Sequence, residues 1–103
     1  RCVDWAARGG RSWPTIVVAD DGFEVTSPVG SFPAGDSIDG IHDLAGNVWE
    51  WTQTADGPLA DSPRIDRGGG WAYTGGQEGY TSVTRGHDLP SLRNVDLGFR
   101  CAD

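Results

Sequence analysis

"GNVWEWT", residues 46–52, sets one carboxylate between two tryptophans, with an asparagine leading in behind a glycine. A strand sends alternate side chains to opposite faces, so Val48, Glu50 and Thr52 fall on one side and Trp49 and Trp51 on the other. With the tryptophans anchoring a core, Glu50 projects away from it, close in sequence to Asn47 and to backbone carbonyls freed at Gly46. Carboxylate, amide oxygen and irregular-backbone carbonyls are the hard-oxygen set that Ca²⁺ takes roughly six to eight at a time. The plainer alternative is a Glu50 on the surface or paired with an arginine. Spacing alone leaves both open.

The segments on either side are read with the same rules. "DWAARGG" (residues 4–10) has an aspartate near its start and a double-glycine stop, which predicts a short helix. "TIVV" (residues 15–18) is a β-branched run and a candidate buried strand. A long connection rich in Gly, Pro, Asp and Ser follows, up to residue 40. After "VWEWT", the stretch "QTADGPLADSP" reads as a loop, and "RIDRGGGWAY", "YTSVTR" and "VDLGFRCA" as three short strands. No amphipathic helix is expected after Gly10. The fold class is α+β, with short strands, long loops and little helix.

Composition bounds the function. The 103 residues argue for one domain, 1–103, or for a piece of one. The opening Arg1-Cys2-Val3-Asp4, without methionine, points to a processed or excised fragment. Sixteen glycines and six prolines are dispersed among five tryptophans, the composition of a loop-rich folded domain and not of a disordered tail. The net charge of −7, with arginine as the only strong base, speaks against nucleic acid and anionic membranes as partners. No apolar run is long enough to insert in a membrane. Cys2 and Cys101 sit at opposite ends and are either a terminal staple or two free thiols; a staple would imply an oxidising compartment.

Other motifs are weaker. "DDGF" (residues 20–23) offers a carboxylate beside a turning backbone, as a second oxygen site or as a simple turn. "GGG" (residues 68–70) lacks the Lys-Ser/Thr that a phosphate loop needs. His42 and His87 have no partner at metal-ligand spacing, and His87-Asp88 with Ser82 or Ser91 lacks a nucleophile elbow.

Taken together, "SPVGSFPAG", "GIHDLAGNVWEWT", "RIDRGGGW" and "VDLGFRCAD" resemble, in order and approximate spacing, the C-terminal part of the formylglycine-generating enzyme, or sulfatase-modifying factor, family. "CVDWAARGGRSWPT" resembles a further family segment, with Ser12-Trp13 in place of its usual residue. The resemblance covers nearly the whole chain but only about the last half of a typical family domain. It implies a C-type-lectin-like fold and a structural Ca²⁺ held by Ala45, Gly46, Asn47, Val48 and Glu50. It implies a second Ca²⁺ at Asp21 and Phe23, whose upstream half is not recognisable in this chain. It also implies a Cys2–Cys101 disulfide, and with it an extracellular or periplasmic location.

For catalysis the resemblance implies two copper-binding cysteines soon after the RGG-x-W element. Ala72 or Tyr73 and Gln77 or Glu78 stand there instead, and Gly70 replaces the family's serine. Without thiolates there is no soft-ligand site for Cu(I). The expectation is therefore a non-catalytic, calcium-stabilised binding or scaffold module. Its recognition face is expected over residues 71–94, carrying Trp71, Tyr73, Tyr80, His87, Asp88 and Arg93, and its partner is a protein or other extracellular ligand. Two alternatives stand beside it. One is the accessory half of an oxidase, formylglycine-generating or sulfoxide-synthase-like, with its chemistry elsewhere. The other is a variable receptor of a diversity-generating retroelement, which would vary this same face. A missing N-terminal half is a further expected partner.

Overall fold

The computed structural model describes residues 22–23, 25–72 and 80–101. The helix expected over residues 4–10 and the strand over 15–18 lie outside them. Four strands, β1 (Trp49–Ala55), β2 (Arg64–Arg67), β3 (Gly86–Asp88) and β4 (Leu97–Gly98), form one sheet in the order β3-β2-β1-β4. A 3₁₀ turn, Pro33–Gly35, lies wholly within the described residues, and a proline with preset φ opens it.

β1 is the predicted strand, because its tryptophans and threonines suit a pleated, half-buried surface. It pairs antiparallel with β2 (Glu50 opposite Arg67, Trp51 opposite Asp66) and parallel with β4 (Trp49 opposite Leu97, Glu50 opposite Gly98). β2 pairs antiparallel with β3, with Asp66 opposite Gly86 and Arg64 opposite Asp88. Residues directly opposite each other share a face. Trp49, Trp51, Asp66, Gly86 and Asp88 therefore lie on one side of the sheet, and Glu50, Ile65 and Arg67 on the other. The predicted opposition of Glu50 to the tryptophans holds, but the tryptophans are corrected as core anchors: Trp49 and Trp51 are only half-buried, and the buried Ile65 shares the face of Glu50.

The core is small. Ile65 and Trp71 are its buried apolar members among the described residues, and the carboxylates of Asp66 and Asp96 are buried with them. Three backbone bonds stitch the turn before β1 to the rest: Gly46 N–H donates to Gly68 O (2.7 Å), Trp71 N–H to Asn47 O (2.9 Å) and Trp49 N–H to Asp96 O (2.7 Å). The turn itself needs two successive left-handed residues, Gly46 at φ +82° and Asn47 at φ +69°. Glycine and asparagine are the residues that adopt this conformation at least cost, so the Gly-Asn dipeptide has a backbone reason to be there.

Two expectations are corrected. The strand predicted over residues 80–85 is a turn, in which Thr84 N–H donates to Thr81 O (3.2 Å). Its carbonyls at Val83 and Thr84 accept from Arg67 Nη1 (3.0 and 2.9 Å), so a guanidinium holds the segment where a neighbouring strand was expected. The loop predicted from Gln53 onward starts later, because β1 runs to Ala55 before Asp56 N–H closes the turn on Pro63 O (2.7 Å).

Candidate functional site

Glu50 is held by an arginine. Arg100 donates from Nε to Glu50 Oε2 (2.6 Å) and from Nη2 to Glu50 Oε1 (2.5 Å), a bidentate pair. The same guanidinium reaches two backbone carbonyls, His42 O (2.8 Å) and Asp43 O (3.0 Å). The Glu50 hydrogen bonds raise the Arg100 pKa further above its ordinary value, against a smaller opposing effect of burial. One planar cation thus collects a carboxylate and two loop carbonyls, the kind of oxygens a calcium ion would take. Asn47 is also engaged: its Oδ1 accepts from Ser27 N–H (2.9 Å) and its Nδ2 donates to Ser27 O (3.1 Å). With these partners in place the two side chains expected to bind calcium do not fit an ion, and Glu50 would have to leave Arg100 to coordinate one. Ala45, Gly46 and Val48 could contribute main-chain oxygens only.

At the second expected site, Asp21 lies outside the described residues. Phe23 packs edge-on against Phe32, with ring centroids 6.0 Å apart. The disulfide expectation is corrected at one end. Cys101 is a free, exposed thiol, because the chain leaves the sheet after β4 and carries it out to solvent. Cys2 lies outside the described residues.

The residues expected to form a recognition face divide. Trp71 is corrected from surface to core, with only 7% of its area exposed. Tyr80 is half-buried and donates its hydroxyl to Gly70 O (3.0 Å). Tyr73 lies outside the described residues, and Arg93 is exposed. His87 and Asp88, on β3, line a cleft of about 350 Å³ together with Trp49, Asp66, Arg85 and Asp96. Sequence reasoning missed Asp66 and Asp96, whose carboxylates are buried in this cleft, and it missed Arg100. An aspartate beside an isoleucine in "RIDR" reads as the solvent face of a strand. Only the register, which sets Asp66 opposite Gly86, shows otherwise.

Burial, and after it the neighbouring Asp88, pushes the Asp66 pKa from 3.8 up to about 6, with His87 opposing. Burial raises the Asp96 carboxyl as well. Gly86 makes the room, since a Cβ there would land on Asp66 Oδ1. Among the described residues no group of three or more His, Cys, Asp and Glu side chains is placed to hold a metal ion.

The RGG-x-W element abuts the same cleft. A Cβ on Gly70 would come within 2.7 Å of both Trp49 Cδ1 and Asp96 Oδ2. Gly70→Ser, which restores the residue the family resemblance implies, is therefore expected to destabilise the chain by about 1–3 kcal/mol through overpacking. Urea unfolding of the variant against the parent measures it. Of the positions where catalytic cysteines would stand, Ala72 is described and half-buried beside Trp71, while Tyr73, Gln77 and Glu78 lie outside the described residues.

A family model, the Sulfatase-modifying factor enzyme 1-like domain, matches residues 1–103. The inactive C-alpha-formylglycine-generating enzyme 2 of Mus musculus is 40% identical over 87 residues, which covers 82% of this chain and 28% of that protein. A formylglycine-generating enzyme of Streptomyces coelicolor is 33% identical over 119 residues, covering 100% of this chain and 36% of the enzyme. A hercynine oxygenase of Mycolicibacterium smegmatis is 29% identical over 115 residues, covering 90% of this chain and 26% of that enzyme. The chain thus spans 28%, 36% and 26% of the length of these relatives. Its short strands and long loops are those of the C-type-lectin-like fold. By its sequence, its fold and the match over its full length, the chain belongs to the sulfatase-modifying factor, or formylglycine-generating enzyme, family.

Proposed function

We propose that this chain is a non-catalytic binding or scaffold module of the family. The observation that carries the reading is the absence of the thiol pair. The chain has two cysteines, neither lies in the segment after the RGG-x-W element, and Cys101 is exposed and free. Copper-dependent oxidation of a substrate cysteine needs soft ligands that this segment does not provide. A relative at 40% identity carries the name of an inactive enzyme, which supports the same reading.

Recognition would fall to the turns around β3 and the loop that leads into β4. They present His87 and Asp88 on the cleft and Val83, Leu89, Arg93 and Val95 to solvent, a mixture of apolar and polar groups suited to an extracellular protein or similar partner. Calcium enters the proposal as a competitor of Arg100 for the Glu50 carboxylate.

The test has two arms. The purified chain, given Cu(I) in competition with a chromophoric chelator and then a cysteine-containing peptide under O₂, is expected to retain no copper and to yield no formylglycine by mass spectrometry. Turnover would overturn the proposal. Replacement of Val83, Leu89 or Arg93 by alanine is expected to leave stability within about 0.5 kcal/mol, as for exposed positions on a display face. A second reading, the accessory half of an oxidase, draws on the hercynine oxygenase likeness. It is favoured if the parent protein turns over while this chain alone does not.

A further inference from the structure

The cleft on the tryptophan face of the sheet adds to Asp88, already expected on the recognition face, two acids that the sequence reading gave no role, Asp66 and Asp96. Asp66 stands on β2, Asp88 on β3 and Asp96 in the loop before β4, and all three line the same space of about 350 Å³. Asp66 is only 2% exposed; its carboxyl shares a side-chain hydrogen bond with Asp88, but its Oδ2 has no hydrogen-bond partner among the described residues. A buried carboxylate oxygen left without a donor costs more than one that is paired, so its position calls for a donor from outside the chain.

The basic groups nearby do not answer that call. Arg85 turns toward Asp56, with Nη2 3.8 Å from Asp56 Oδ1, and His87 Nδ1 stands 3.7 Å from Asp56 Oδ2. Both side chains are more than half exposed at the rim. The interior is thus acid-lined, while its two bases lean on a fourth carboxylate, Asp56, outside it. Trp49 forms a wall of the same cleft, and an indole face attracts a cation that has been partly stripped of water. Gly86 lacks the side chain that would otherwise fill the space taken by Asp66 Oδ1.

We propose that this cleft binds an organic cation, an ammonium or guanidinium group presented by a partner, with Asp66 as its buried acceptor, Asp88 and Asp96 completing the acidic lining and Trp49 as its wall. An anion is repelled by three carboxylates. A divalent metal needs closely converging ligands, and the described acids are not placed that way. A guanidinium or alkylammonium has several N–H donors spread over a few ångströms, which matches carboxylates distributed around a cleft. The proposal rests on the reading of this chain as a recognition module and names the chemistry of what it recognises.

The experiment uses the purified chain and three probes followed by NMR shift titration: N-acetyl-argininamide, n-butylamine, and N-acetyl-citrullinamide as the neutral isostere. The first or second is expected to bind with Kd near ~1 mM, a fragment-level affinity, with shifts clustered on β2, β3 and the loop before β4. The citrulline probe is expected to stay unbound. Asp66→Asn, which keeps shape and removes charge, is expected to weaken binding at least about tenfold, and Asp88→Asn provides a second variant should the first fold poorly. Ile38→Ala, fully exposed and outside both the cleft lining and the recognition face, leaves binding unchanged.

Equal binding of the citrulline probe, full binding by Asp66→Asn, or no response to either cation up to saturating probe would overturn the proposal. So would a shift on calcium chloride alone that Asp66→Asn abolishes, which would make the cleft a metal site. A failure here, with no copper retained and no turnover, removes the cation and leaves the binding module. Turnover with cation binding intact removes the module reading and leaves a substrate subsite.

Discussion

Arg100→Ala is expected to lower the stability of the chain by about 2 kcal/mol, which for a domain of this size moves the thermal midpoint by roughly 8–16 °C. The residue closes a long loop: its guanidinium joins the end of the sheet at β4 to Glu50 on β1 and to the carbonyls of His42 and Asp43. Truncation leaves Glu50 without its bidentate partner and frees two carbonyls. The side chain of Arg100 is 36% exposed, so solvent takes up part of the loss and the figure stays well below that of a fully buried pair. Arg100→Lys is expected to recover only a fraction, since a single ammonium cannot hold both Glu50 oxygens and both carbonyls in the planar fork of an arginine.

The same variant decides the place of calcium. Arg100 and a calcium ion would use the same carboxylate, so the increase in midpoint on adding excess calcium over a chelator is expected to be larger in Arg100→Ala than in the parent chain. Saturation at about a hundredfold over Kd corresponds to ~2.7 kcal/mol. An equal, flat response in both chains would remove calcium from this segment. A full response in the parent, absent from Glu50→Ala, would show that the ion displaces the guanidinium without help.

These contacts also mark the limit of what the sequence discloses. The Gly-Asn turn, the β1 strand and the opposition of Glu50 to the tryptophans depend on neighbours within a few residues, and local propensity and alternation are enough to read them. The partner of Glu50 lies 50 residues away, and an arginine in "GFRC" gives no local sign of where its side chain will reach. Residues 80–85 carry β-branched side chains, yet Arg67 supplies the donors there and a turn results. A strand propensity becomes a strand only when another strand comes alongside. Trp71 was misplaced for a related reason: at the start of the expected recognition loop it reads as an exposed aromatic, but its N–H is tied to Asn47 O and its ring is buried. The acidic cleft was the least legible feature, because it is assembled by register from β2, β3 and the loop before β4.

That cleft carries the second large effect, and its sign runs against the usual expectation for a buried residue. The Asp66 carboxyl has a pKa near 3.8 in an unfolded chain and about 6 when folded, raised by burial and then by Asp88. The folded chain therefore holds this proton more tightly, which favours folding below pH 4, and that contribution is lost as the pH rises through 6. At pH 8 the ionised Asp66 destabilises the fold by about 2–3 kcal/mol relative to a neutral group of the same shape. Asp66→Asn is accordingly expected to raise stability at pH 8 by about 2 kcal/mol, with the gain shrinking between pH 6 and pH 4 and absent below it. Denaturant unfolding of both chains across that range measures the difference. A constant offset at every pH would assign the effect to packing and not to charge. Asp88 on β3, Asp96 before β4 and the His87–Asp56 contact at the rim face the same group, so Asp88→Asn is expected to give a smaller gain in the same window. A substitution that stabilises the fold while weakening cation binding separates the two roles of Asp66: its charge is a cost to folding at neutral pH, and the return on that cost is a buried acceptor held ready for a donor from another molecule.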